Sequence, residues 1–142
     1  MPRARDDSSI TVHRHAPFMV ENEEERVRKV LERTREEYGF VPLVSEVLSE
    51  RPDLYLPYAE LSSRLFFKPQ HMDRRTTELA AIAAGAALGS ENCLNVHILQ
   101  AFRLGVTEEA VMEALVLGAF MSMNRSCSVA LRCLRSATKD RA

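Results

Sequence analysis

The stretch from Asp73 to Thr107 constrains the fold of this chain more than any other part of it. Residues 79–88 form an Ala-rich run that is apolar nearly all round, so a helix there must be buried on most sides. Gly89-Ser90 breaks that run, a second helix follows to about Leu104, and Gly105 stops it. Asp73 is a natural N-cap for the first helix, and Thr107 for the helix that comes after the second. A connection as short as Gly89-Ser90 makes the two helices antiparallel neighbours. Gly85, inside the first helix, costs roughly 1 kcal/mol relative to Ala, which predicts close approach by another backbone.

The rest of the chain carries the same period. Val27, Val30, Leu31 and Tyr38 recur at helical spacing within residues 21–38, giving one narrow apolar stripe among Glu, Arg and Lys. Glu23, Glu24 and Glu25 suit the first turn of that helix, and Gly39 with Pro42 stops it. A short helix is predicted over residues 43–49, punctuated by Pro52 and Asp53, and a longer one over residues 54–67. In the longer one, Tyr55, Tyr58, Leu61, Leu65 and Phe66 share a face, and the Phe66-Phe67 pair reads as core or interface. Two further helices are predicted over residues 108–123 and 125–138. No segment alternates with period two, so the expected fold is all-α, a compact helical domain around a central antiparallel helix pair. Residues 1–20 lack periodicity and read as an N-terminal tail; residues 21–142 read as the domain.

Composition removes several function classes. The 142 residues are 46% hydrophobic and 27% charged, as in an ordinary globular domain. A formal net charge of -1 offers no clustered basic surplus for nucleic acid. Three cysteines without a CxxC pair argue against a disulfide framework or a four-thiolate zinc site. No signal-type apolar region or membrane-spanning apolar run is read from the sequence, so no membrane partner is expected and the chain is placed in the cytoplasm, where free thiols persist.

The chemistry concentrates at the break between the two central helices. Cys93 and His97 are four residues apart, so on a helix beginning near Glu91 they share a face, with Cys93 in the first turn. A thiol reacts as its thiolate, and a helix N-terminus and a nearby imidazole both favour that form. Ser90 falls three residues before Cys93 and suits the N-cap, its hydroxyl accepting the Cys93 N–H. Glu78 starts the buried helix. Its simpler reading is an intrahelical ion pair with Arg74 or Arg75; its functional reading is a proton acceptor that orients His97. Cys93 also reads as a small buried hydrophobe, and His97 as a satisfied imidazole. Cys127 and Cys133 are explained by packing, with a role in resolving an oxidised Cys93 left open. His71 is a rim residue, and His13 and His15 lie in the tail. Cys93 and His97 supply only two ligands, so no metal site is expected.

Glu78-x(11)-Ser90-x(2)-Cys93-x(3)-His97, followed by Leu104-Gly105-Val106-Thr107-Glu108-Glu109 and an apolar helix, resembles the alkylhydroperoxidase D and carboxymuconolactone decarboxylase family. The resemblance covers about residues 40–138. It implies an all-helical fold, assembly as a trimer or hexamer, and no cofactor. It also implies a proton relay of Glu78 and His97, with Cys93 as the peroxide-facing cysteine. This chain departs from the peroxidase pattern at Ser90, which stands where the first cysteine of a CxxC pair would be, and at Asn92, where a His is frequent. Decarboxylase members keep the equivalent of His97 without those of Cys93 and Glu78, so the chain sits nearer the peroxidase branch.

The expected function is therefore a thiol-dependent oxidoreductase or peroxidase acting on a small molecule, with Cys93 recycled by an external thiol. One alternative is a carboxymuconolactone decarboxylase-type lyase acting on a small carboxylated lactone, with Arg74 or Arg75 binding the carboxylate. The other is a non-enzymatic helical scaffold. The surplus of apolar helix surface supports a homo-oligomer in each case.

Overall fold

A computed structural model describes residues 22–139, and the tail with His13 and His15 lies outside the described residues. Six helices follow in order: α1 (Glu23–Tyr38), α2 (Leu43–Leu48), α3 (Pro52–Phe66), α4 (Arg74–Leu88), α5 (Glu91–Arg103) and α6 (Glu108–Lys139). Among the described residues there is no strand.

Local chemistry sets most of these boundaries. Asn22 accepts the Glu24 N–H at the start of α1, and Gly39, at φ 84°, ends it in the left-handed conformation that a side chain would disfavour. Asp73 caps α4 by accepting the Thr76 N–H at 3.0 Å and its hydroxyl at 2.6 Å. Thr107 caps α6, accepting the Ala110 N–H at 3.3 Å. α3 begins two residues earlier than expected because Pro52 occupies its first position, where a missing N–H costs nothing.

α4 is the centre of the fold. It packs along α6 most extensively and along α5 next. Ile82, Ala101, Val111 and Ala114 form the core between these three helices, flanked by Leu79, Leu94, Ile98, Val106 and Leu115. The close approach predicted at Gly85 is to side chains: a Cβ there would lie 3.1 Å from a Leu94 methyl carbon and 3.7 Å from the Cys93 Cβ. The backbone approach is at Gly118 of α6, where a Cβ would overlap the Ala83 carbonyl group. α1 joins from the other side through its C-terminal carbonyls. Gln100 Nε2 and an Arg103 guanidinium nitrogen each donate to the Glu37 carbonyl oxygen at 3.2 Å.

The two helices expected over residues 108–123 and 125–138 are one helix of 32 residues. Neither Gly nor Pro lies near Asn124, and Asn alone lowers helix propensity too little to stop a helix already propagating. Being continuous, α6 is also long and apolar enough, by length and composition alone, to cross a bilayer, contrary to the reading of the sequence.

Candidate active site

Glu78 lies one turn into α4, and its carboxylate is only 1% exposed. Across the groove, His97 projects from the second turn of α5, and its Nδ1 stands 2.7 Å from Glu78 Oε2. The antiparallel pairing set by Gly89-Ser90 brings these two positions level. The expected intrahelical ion pair does not form. Arg75 Nε donates instead to the Leu104 carbonyl at 2.8 Å, tying α4 to the end of α5. Arg74 lays its guanidinium over the Phe67 ring, 5.5 Å from the centroid, and its Nε is buried without a hydrogen-bond partner.

An ionised carboxylate only accepts hydrogen bonds, so with Glu78 ionised this contact puts the His97 proton on Nδ1. That leaves Nε2 as the nitrogen free to exchange a proton. The Phe66 ring packs on the imidazole with centroids 4.7 Å apart, restricting the ring further. Sequence spacing read Phe66 as core or interface, and nothing in the periodicity of α3 pointed across to α5. The second carboxylate oxygen, Glu78 Oε1, is buried without a hydrogen-bond partner. Such an oxygen is costly to bury unpaired.

Two tyrosines respond to this cluster. Burial pushes the Tyr38 hydroxyl well above its ordinary pKa, and the Glu78 carboxylate adds to the effect. Burial also raises Tyr58 of α3, with a smaller contribution from Cys93. Neither tyrosine was singled out as functional, because the contacts that matter run between helices distant in sequence.

Cys93 is the third residue of α5, in its first turn and one turn before His97 on the same face. It is exposed, as are Cys127 and Cys133. The buried-hydrophobe reading of Cys93 therefore does not hold. Ser90 occupies the N-cap position but makes no side-chain cap. Its carbonyl accepts the Leu94 N–H at 3.0 Å, and its own N–H donates to the Gly85 carbonyl at 2.9 Å. Without a hydroxyl cap, the first-turn N–H groups near Cys93 remain open to an anion. Asn92 is exposed beside it.

Among the described residues, no group of three or more His, Cys, Asp and Glu side chains is placed to hold a metal. A cleft of about 800 Å³ lies between α1 and α3 and is lined by neither Glu78, Cys93 nor His97. Tyr38, Tyr58 and Phe67 line it, so it shares walls with the surroundings of the pair.

Comparison with curated proteins and with solved structures gives no match. The sequence profile of one family matches residues 52–136, from the start of α3 almost to the end of α6. That span holds Glu78, Ser90, Cys93 and His97 and covers more than half of the 142-residue chain. The chain belongs to the carboxymuconolactone decarboxylase family.

Proposed function

We propose that the protein is a thiol-dependent oxidoreductase of the peroxidase type, with Cys93 as nucleophile and Glu78–His97 as its proton relay. The observation that carries this reading is the 2.7 Å contact between His97 Nδ1 and a carboxylate that is 1% exposed. A buried carboxylate whose partner is a largely shielded imidazole, one turn from an exposed thiol at a helix start, is the arrangement of an activated nucleophile.

His97 Nε2 takes the Cys93 thiol proton, and Glu78 stabilises the imidazolium. The thiolate attacks one peroxide oxygen; an S–O bond forms as the O–O bond breaks, and the proton passes from His97 to the leaving alkoxide. Cys93 is then a sulfenic acid. An external thiol condenses with it, releasing water and leaving a mixed disulfide, which a second thiol resolves to free Cys93 and an oxidised reductant. Ser90 cannot close an internal disulfide, so the reductant must come from outside the CxxC position. Three exposed thiols suit a reducing compartment, which supports a cytoplasmic location.

The test is peroxide consumption with a small-thiol reductant, together with trapping of the Cys93 sulfenic acid by a 1,3-dione and mass spectrometry. Cys93→Ser should abolish turnover, and His97→Ala should lower it at least 100-fold. Faster oxidation of Cys127 or Cys133 than of Cys93 would remove the assignment. The lyase reading has one observation of its own, the buried unpartnered Arg74 Nε, which would suit a substrate carboxylate. It predicts lactone decarboxylation that survives Cys93→Ser.

A further inference from the structure

The cleft between α1 and α3 has walls that the chemistry of Glu78, Cys93 and His97 does not use. Arg26, Val30, Arg33 and Thr34 line it from α1, at the spacing of one side of a helix. Arg64 lines it from the last turn of α3, and Lys68 from just beyond that helix. Among the described residues, Arg26, Arg33 and Lys68 enter no ion pair. The α1 carboxylates Glu25 and Glu32 turn to Arg28 instead, on another face. Glu60 is the one carboxylate on the described lining, and Arg64 holds it at 2.8 Å. The whole chain carries a formal net charge of -1, so this basic surplus is local.

One wall also carries a buried donor. Tyr55 lines the cleft and is 1% exposed, and its hydroxyl has no hydrogen-bond partner. The Thr34 and Ser45 hydroxyls line the same cleft, and neither completes a hydrogen bond with it. Thr34 donates instead to the Val30 carbonyl, at 2.8 Å. Burial raises the Tyr55 pKa, so the phenol stays protonated and keeps its O–H to give. Aromatic rings supply the apolar part. Tyr38 and Phe67 stand with ring centroids 5.3 Å apart, and Tyr58 adds a third ring to the lining.

We infer that the α1–α3 cleft binds a small organic anion, its charged group met by Arg26, Arg33 and Lys68 and its flat apolar body by Tyr38, Tyr58 and Phe67. A volume of about 800 Å³ lies within the range of small-molecule sites. Guanidinium forks suit a carboxylate or a phosphate, and three unpaired cations favour the dianionic phosphate of the two. The site is separate from the Glu78–His97 pair but backs onto it. Phe66 packs on His97, while Phe67, the next residue, lines the cleft. Binding here does not depend on the chemistry proposed for Cys93.

Titration calorimetry tests this with four probes: 1-naphthyl phosphate, 1-naphthoate, 1-naphthol and inorganic phosphate. The aryl phosphate should bind one site per chain with Kd below about 1 mM, followed by the naphthoate. The uncharged naphthol and the ringless phosphate should each bind at least tenfold more weakly than the aryl phosphate. Arg26→Glu with Arg33→Glu should weaken the aryl phosphate at least tenfold. Arg125→Glu with Arg132→Glu makes the same change of net charge on exposed positions of α6 and should leave its Kd within twofold. Tyr55→Phe keeps the ring, removes the O–H and should weaken binding about fivefold. Cys93→Ser should bind like the parent. Circular dichroism checks that each variant keeps its helices. Absence of aryl phosphate binding, naphthol binding as tight as that of the anions, or equal losses in the α1 and α6 charge variants would each overturn the inference.

Discussion

Two contacts between a basic side chain and a carboxylate in this molecule have the same length and different meanings. On α1, an Arg28 guanidinium nitrogen stands 2.7 Å from Glu25, with side chains 58% and 38% exposed. Between α4 and α5, His97 stands 2.7 Å from Glu78, with side chains 13% and 1% exposed. The first is one of several interchangeable pairs on a solvated face: Arg28 also meets Glu32 at 2.8 Å, and Lys29 meets Glu25 at 3.8 Å. Water competes for each of them, so they contribute little to stability. The second has no such competition. Burial makes the loss of either partner expensive and holds the proton where it is placed. Distance alone does not rank such contacts; the surrounding helices do.

The sharpest way to break that contrast is to disturb the helix crossing that shelters the buried pair. Gly118→Ala should cost about 3 kcal/mol, since its Cβ would overlap the Ala83 carbonyl on α4. Chemical denaturation should read this as a lower midpoint with the slope kept. If the variant is as stable as the parent, the α4–α6 crossing is looser than the structure has it.

Glu78→Ala comes next, at about 2 kcal/mol, because it strands the His97 Nδ1–H and opens a small cavity. Glu78→Gln separates structure from chemistry. Its amide oxygen can still accept from Nδ1, so most of the stability should return while peroxide turnover stays low. Equal losses of stability in the two variants would reduce the pair to packing.

A smaller effect should follow pH at the start of α4. The Thr76 hydroxyl and the Thr76 N–H hold the Asp73 carboxyl below its ordinary range. A carboxylate with a depressed folded pKa contributes stability above its unfolded value, near pH 4, and that contribution is lost as pH falls through the folded value. The gap in melting temperature between parent and Asp73→Ala should therefore be full at pH 7 and should narrow in acid. A gap that widens in acid would contradict the cap.

The smallest effect belongs to the surface. Arg28→Ala should leave the melting temperature within error of the parent, and 1 M salt should not change that result. A measurable loss would mean that the α1 pairs act as a network and would weaken the contrast between the two regions.

Much of this molecule is decided by the sequence alone. The 3.6-residue period marks the longer helical segments, and chemical punctuation marks most of their ends: Gly39, Asp73, Gly89, Gly105 and Thr107 act where their side chains or lack of them require. These are local effects, settled within a turn of the residue concerned. The family was legible for the same reason, since Glu78, Cys93 and His97 keep fixed spacings along the chain. What tertiary structure decided lies between helices. A sequence cannot tell whether Glu78 turns to Arg74 one turn away or to His97 nineteen residues on; the α4–α5 groove chose His97. It also could not place the close backbone approach at Gly118 rather than Gly85, or join two predicted helices into the single α6. Partner choice and burial depend on which faces meet. That is a property of the whole packed chain.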